Sequence, residues 1–304
     1  MKKLVSIIID NYNYANYVSA AIESALSQTY QPCEVIVVDD GSTDPSRDAI
    51  ASFGDKIRPI LKPNGGQASA FNVGFAQAKG DIVCFLDSDD LFLPTKVARV
   101  VEALENSSRK WCFHHLQWVD SELKPVEMSA ATSSSGDYDL RDEVSRGKGG
   151  LIPPATSGLS FARDLLEKIM PIPETVRITA DNYLKLPTLL LAPGFYISDQ
   201  LALQRLHQSN FYTRSKGSLN RANVEFSVAC GLESKFPQLR QHCDRMFVTG
   251  AALGLMGDKV SPEVAKLRDA YFRQRTPAEK LAIATRVAYR VVRGMSQKLS
   301  GRSR

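Results

Sequence analysis

Along the first hundred residues, short apolar runs alternate with longer segments whose apolar positions recur every three to four residues. Leu4–Ile9, Glu34–Asp39, Ile57–Leu61 and Ile82–Leu86 have the length and β-branched content of buried strands. Val18–Gln28, Ser46–Ser52, Gln67–Ala78 and Pro94–Glu105 carry a helical period between and after them. This rhythm predicts parallel strands joined by right-handed crossovers. Pro94 suits the first turn of its helix, where a missing N–H costs nothing. Further on, Trp111–Val119 reads as a strand, and Leu159–Ile169 and Asp181–Leu191 as helices, the latter interrupted by Pro187. Ser129–Gly136 and Arg146–Gly150 read as loops. Residues 220–300 lack strand-like alternation and read as helices.

Acidic and polar residues follow three of the strands: Asp10-Asn11, Asp39-Asp40-Gly41-Ser42 and Asp87-Ser88-Asp89-Asp90. Taken singly, each is an ordinary turn or helix cap. In an open parallel sheet all three converge on the carboxyl edge, where such folds bind ligands.

Length and composition narrow the class. A chain of 304 residues is long enough for two domains or one elaborated α/β domain. With 43% hydrophobic and 23% charged residues it is neither disordered, collagen-like nor membrane-spanning. Lys2-Lys3 and the apolar run after them imitate a signal peptide, but Asp10-Asn11 end the run too early, so the expected location is cytoplasmic. The five cysteines lack Cys-x-x-Cys spacing and predict neither a disulfide framework nor a zinc site. The net charge of +5 is uneven: residues 277–304 hold seven Lys/Arg against one Glu, leaving the rest at −1. A general nucleic-acid surface is therefore not indicated.

The runs Val5–Asn13, Val35–Asp44 and Phe85–Asp90, with Gly65-Gly66-Gln67-Ala68-Ser69-Ala70-Phe71-Asn72 between the last two, resemble the inverting family-2 glycosyltransferases. The resemblance is specific over residues 4–95 and looser over 150–210. It implies the α/β GT-A fold, a Rossmann-like, mostly parallel sheet flanked by helices. The implied organisation is a transferase domain over 1–215 (a nucleotide-binding half, 1–105, and an acceptor-binding half, 106–215) and a helical extension over 216–304. The implied reaction moves a sugar from a nucleoside-diphosphate donor to a glycan or lipid-linked acceptor, as in building a surface or exported glycan. UDP is the first candidate nucleotide, with dTDP and GDP behind it.

The resemblance also implies roles. Tyr12 offers a ring to the base, Asp40 accepts from a base N–H, and Asp10, Gln67 and Asp87 belong to the nucleotide site. Asp89 is the direct metal ligand of an Asp-x-Asp element that suits Mg²⁺ or Mn²⁺. Asp181 stands where the family carries its general base and is assigned that role, the alternative for an Asp being a helix N-cap. Thr156, Ser157 and Gly158 are placed on a strand lining the sugar or acceptor cavity, or on an ordinary turn. Arg205 is assigned to the diphosphate, and His207 is read either as a metal ligand or as a structural histidine. Adjacent His114 and His115 fall on opposite faces of a strand, which makes a shared metal site improbable. Two departures stand out: Asp10-Asn11 where relatives carry Pro-Thr or Thr-Ser, and Phe71 where many carry Arg.

Two other classes compete. A sugar-nucleotide-binding module without catalysis fits the missing Arg, and the Asp87–Asp90 loop imitates the nucleophile loop of haloacid-dehalogenase phosphatases. At the other end of the chain, Leu281, Ala284, Ala288, Val291, Met295 and Leu299 recur near the helical period, with Arg286, Arg290 and Arg293 opposite. Such a basic amphipathic helix over 278–300 lies on an anionic membrane's inner face, docks on its own domain, or pairs in a homodimer.

Overall fold

The apolar runs at the start of the chain become parallel strands covered on both faces, as their unbroken hydrophobicity requires. They are β1 (Val5–Asn11), β2 (Cys33–Asp40), β3 (Arg58–Lys62) and β4 (Ile82–Asp87). The computed structural model describes residues 2–127, 133–207 and 221–299, and the chain divides into two compact units, Met1–Thr213 and Arg214–Arg304. In the first unit a nine-stranded sheet runs β3-β2-β1-β4-β8-β6-β9-β5, with β7 paired to β9. The remaining strands are β5 (Leu91–Phe92), β6 (Trp111–Val119), β7 (Gly136–Tyr138), β8 (Leu159–Ala162) and β9 (Gly194–Arg205). Pairing is parallel from β3 to β4 and between β6 and β9, and antiparallel where β8 joins β4 to β6. This is the mixed sheet of the GT-A fold.

One face of the sheet buries Val5, Ile7, Ile9, Val35, Val37 and Leu86 against Val18 and Ile22 of α1 (Ala15–Leu26) and Val97 and Val100 of α4 (Lys96–Ala103). Each such side chain contributes about 1.5–3 kcal/mol by leaving water. On the other face α3 (Gln67–Gln77) lies close to the strands because Gly74 has no Cβ, which would come within 2.6 Å of Ile8 Cγ2. Phe71 packs there on Phe85, ring centroids 4.5 Å apart, and Phe161 meets Phe85 edge-on. The residue standing where relatives have Arg is thus wholly buried and belongs to the core.

The structure corrects several sequence expectations. Leu159–Ile169 is not one helix: Leu159–Ala162 is inserted as β8, and only Arg163–Ile169 is helical (α6). A short apolar run fits a buried strand or helix equally well, and sheet pairing on both sides decides it. β9 went unrecognised because its middle, Ser198–Gln200, is exposed and breaks the alternation. Pro94 precedes α4, whose N-cap is Thr95, and its carbonyl accepts from the Thr29 N–H at 2.9 Å. The remaining helices of this unit are α2 (Ser46–Ala51), α5 (Arg141–Ser145) and α7 (Asp181–Leu191).

The second unit is helical: α8 (Arg221–Lys235), α9 (Arg240–Leu255), α10 (Pro262–Arg273) and α11 (Pro277–Leu299). Buried Arg275 ties it together, donating to Glu233 Oε1 at 2.7 Å and Asp244 Oδ1 at 3.0 Å with its guanidinium over the Tyr271 ring. Among the described residues no helix is long and apolar enough to cross a membrane.

Lys96 is an expensive exception in the core of the first unit. Its side chain is wholly buried, with Nζ 3.7 Å from the centroid of the Phe92 ring, and burial pushes its pKa down. A buried cation costs free energy that an apolar side chain of similar length does not. Lys96→Met should therefore raise the melting temperature by a few degrees at pH 7. Because the unfolded state holds this proton up to about pH 10.4, the wild type recovers stability as pH rises towards that value. The gap between variant and wild type should narrow from pH 7 to pH 10 in thermal melts. A constant gap would mean the ammonium is not the source of the cost.

Candidate functional site

Parallel pairing brings the chain's acidic residues together. Asp10, at the end of β1, is in register with Asp87 at the end of β4, and Asn11 with Asp39 on β2. Gln67, the first residue of α3, donates from Nε2 to Asp10 Oδ2 at 3.2 Å and to Asp87 Oδ1 at 3.1 Å. Its Oε1 accepts from the Ala180 N–H at 2.9 Å, and its own N–H bonds the Arg177 carbonyl at 2.8 Å. One amide thus links β1, β4 and the start of α7. Gly66 permits that approach: its φ is +88°, and a Cβ would come within 2.7 Å of the Arg177 carbonyl.

Asp87, Asp89 and Asp90 each turn an acid oxygen to one place, with those oxygens within 4.8 Å of one another. The turn is held from outside. Ser157 donates to Asp90 Oδ2 at 2.6 Å and its Oγ accepts from the Asp87 N–H at 3.2 Å, while Asp90 Oδ1 accepts from the Arg205 N–H at 2.9 Å. The Arg205 guanidinium donates to the carbonyls of Asp89 and Ser121, both at 2.9 Å, and lies over the Tyr17 ring. His207 Nε2 is 3.0 Å from Asp89 Oδ2, and its ring stacks on Tyr17, centroids 4.5 Å apart, with Tyr14 edge-on. Thr156, Ser157 and Gly158 form a single 3₁₀ turn leading into β8, rather than lying on a strand, and all three are buried. A side chain at 158 would strike Pro154 and the His114 carbonyl.

The electrostatics record an excess of negative charge. Burial raises the Asp10 carboxyl to about 7, assisted by the charges of Asp89 and Asp40 against the Gln67 hydrogen bond. Burial and then the neighbouring acids raise Asp87 and Asp90 well above the carboxylate range, with Asp181 among the charges acting on Asp87. The Tyr14 phenol is pushed up by burial and the same acids. Asp10 Oδ1 is buried and has no hydrogen-bond partner among the described residues. Three converging carboxylates, an orphaned acid oxygen beside them and raised pKa values fit a hard divalent cation.

Elsewhere on this edge the acids are neutralised. Asp40 accepts from Lys62 Nζ at 2.5 Å and from the Gly65 and Gly66 N–H groups at 2.9 and 2.7 Å. Burial works against ionisation of Asp39, but hydrogen bonds from Ser42, Arg47 and Asn11 hold it below the usual range. Tyr12 leaves 41% of its surface exposed at the rim. Asp181 is the first residue of α7, following the N-cap Ala180, and its Oδ2 accepts from Lys185 Nζ at 2.5 Å, one turn on. The pair is mostly buried. His114 is buried, its imidazole pushed down to about 3 by desolvation, and its Nδ1 donates to the His115 carbonyl.

Sequence reading placed Asp90 on this edge without giving it a role, and did not assign Lys185, Tyr14 or Tyr17 to this region. Asp90 was legible as the third acid of its loop and Lys185 as the i+4 partner of Asp181 on a helix. The two tyrosines carried no signal, because only the return of β9 brings His207 onto them.

A family model for glycosyl transferase family 2 matches residues 6–153. An uncharacterized glycosyltransferase of Nostoc is 41% identical over 237 residues, covering 76% of this chain and 74% of that one. An Escherichia coli protein named UDP-Glc:alpha-D-GlcNAc-diphosphoundecaprenol beta-1,3-glucosyltransferase WfaP is 43% identical over 105 residues, 34% of this chain and 42% of that one. Among solved structures, Staphylococcus aureus TarS 1–349 in complex with UDP-GlcNAc has a TM-score of 0.67 at 15% identity, covering 98% of this chain and 92% of that one.

The raised Asp10 pKa has a definite sign. An acid whose folded pKa lies above its unfolded value of about 3.9 binds more protons when folded, so it costs stability as pH rises from there to about 7. In EDTA, Asp10→Asn should gain stability relative to wild type between pH 4 and pH 8, by about 2 kcal/mol or more from one carboxyl. Chemical denaturation across that range measures it, and a difference that does not vary with pH would contradict the assignment.

Proposed function

The chain belongs to glycosyltransferase family 2, and from that premise we propose that it is a metal-dependent inverting transferase acting on a UDP-sugar. The observation that carries the reading is the gathering of Asp10, Asp87, Asp89 and Asp90 at the end of parallel strands, with Asp181 close enough to act on Asp87. The UDP assignment draws on the TarS complex and on the name of WfaP, and that name also supports a lipid-linked acceptor. A mannosyltransferase of Pyrobaculum calidifontis in complex with GDP-Man and Mn²⁺ has a TM-score of 0.51 at 15% identity, covering 100% of this chain and 89% of that one. It supports a divalent ion at this edge. The haloacid-dehalogenase reading falls with the family.

Asp87, Asp89 and Asp90 would hold Mn²⁺ or Mg²⁺, which supplies positive charge to the departing nucleoside diphosphate. His207 borders this group through Asp89, either joining it or fixing that carboxylate. Tyr12 offers its ring to the base, and Asp40, held by Lys62 and two backbone N–H groups, accepts from a base N–H. Gln67 keeps Asp10 and Asp87 apart and oriented. Arg205 acts by fixing the acid turn, because its guanidinium is already committed to the Asp89 and Ser121 carbonyls. Thr156, Ser157 and Gly158 shape the floor of the sugar cavity.

Single displacement needs a base on the side opposite the leaving group. Asp181 takes that role: it accepts the acceptor hydroxyl's proton as the oxygen attacks the anomeric carbon. Lys185 occupies Oδ2 and leaves Oδ1 for the proton.

Thermal melts against nucleoside diphosphates, with and without Mn²⁺, test the donor site. UDP with Mn²⁺ should raise the melting temperature of wild type, and Asp89→Ala should abolish the metal-dependent part. Absence of a shift with any nucleotide would sink the reading. The competing possibility, a binding module without catalysis, is separated by Asp181→Asn. That variant should keep the UDP shift while losing about 10²–10⁴ of turnover, followed as UDP release from UDP-glucose or UDP-GlcNAc. Unchanged turnover in Asp181→Asn removes Asp181 as the base.

A further inference from the structure

The last helix docks by a face different from the one its sequence suggests. The buried residues of α11 are Ile283 and Val287, continued by half-buried Val291 and Gly294, the latter against Met256. Of the apolar stripe read from the sequence, Leu281, Ala284, Ala288 and Met295 are exposed and Val291 is half-buried. At 3.6 residues per turn, Met295, Ala288, Leu281, Val292 and Tyr289 follow one another around the free side of the helix. Arg293 and Arg286 come next on the same side. Leu281 is 70% exposed, and Tyr289 and Val292 are each 67% exposed. A shallow apolar groove of about 380 Å³ continues this surface, lined by Phe247, Leu255 and Phe272 with Ala284 and Ala288 of α11.

We propose that this face of α11 is a docking surface for an anionic lipid bilayer, with the apolar arc in the headgroup–acyl boundary and the arginines on lipid phosphates. Charge selects this occupant. Arg214–Arg304 carries 18 Lys/Arg against 7 Asp/Glu, a net +11, whereas the rest of the chain is at −6. A twofold pairing of α11 with a second copy would bring two such cationic faces together, at a cost in repulsion. An anionic bilayer takes both halves of the surface at once: basic side chains each add attraction near its phosphates, and the apolar arc adds burial. A soluble polyanion would leave Leu281, Tyr289 and Val292 in water. The inference stands on the second unit alone and does not depend on the proposed reaction.

The test is flotation of the full-length chain with phosphatidylcholine vesicles, alone or with about a third phosphatidylglycerol. Wild type should float only with the anionic vesicles, and less as salt screens the attraction. Arg286→Glu/Arg293→Glu should weaken that binding by about 10-fold or more. Leu281→Ser/Val292→Ser should also release the protein, with an unchanged melting temperature because both side chains are exposed. Failure of wild type to bind anionic vesicles overturns the proposal, as does equal flotation of both variants and wild type. A wild-type dimer in light scattering that the serine variant converts to monomer, without vesicle binding, overturns it in favour of a second copy.

Discussion

The constraint on which the first unit depends is mutual repulsion among carboxylates driven together by strand register. Parallel pairing of β1 with β4 leaves no choice: Asp10 and Asp87 end adjacent strands side by side. Like charges at this distance in a partly dry site interact by several kcal/mol unless something intervenes. Much of the local architecture is that intervention. Gln67 is placed between the two acids by a glycine turn, Ser157 and the Arg205 backbone take up Asp90, and Lys62 with two N–H groups takes up Asp40. At Asp10, Asp87 and Asp90 burial first, and the neighbouring acids after it, raise the carboxyl pKa values. A fold selected for stability alone would have removed the acids, and their retention is in keeping with the cation site proposed above.

The same logic explains why some side chains named from sequence serve the site from behind. A lone arginine near three acids is drawn to carbonyls and acids already present, and Arg205 accordingly braces the turn. Phe71 fills the gap between α3 and the sheet, where an arginine would have to leave the core to reach ligand. Lys62, Lys185 and Arg47, which lie near the same edge, are each already bound to a carboxylate. Positive charge here is spent on setting the acids in place.

Legibility followed locality. The four parallel strands, their helices and the three acid clusters could be read from β1 to β4 because period and turn chemistry are local signals and the fold there is consistent with them. Asp87, Asp89, Asp40 and Gln67 were named because they lie in the short motifs that carry the family resemblance, although Gln67 touches Asp10 and Ala180 far away in the chain. β8 and β9 were not read, since a four-residue apolar run and a broken alternation become strands only through partners about 80 residues away. Everything that depends on those strands was hidden with them, including the stacking of His207 on Tyr17 and the 3₁₀ turn at Ser157.

α11 adds a further reason for misreading. It carries two apolar arcs about 150° apart at 100° per residue, one through Ile283 and Val287 and one through Leu281 and Val292. Periodicity alone finds an apolar face but not which of two neighbours will bury it. The choice falls to volume and shape: Gly294 lets Met256 approach at the end of the first arc, and β-branched Ile283 and Val287 are buried, lining one groove with Phe247 and Phe272. The second arc, with larger side chains at Leu281, Tyr289 and Met295, has no counterpart within the described residues of its unit. An apolar arc left outside after the core has closed is costly to carry in water, and that cost is most simply offset by a surface that the unit itself does not provide.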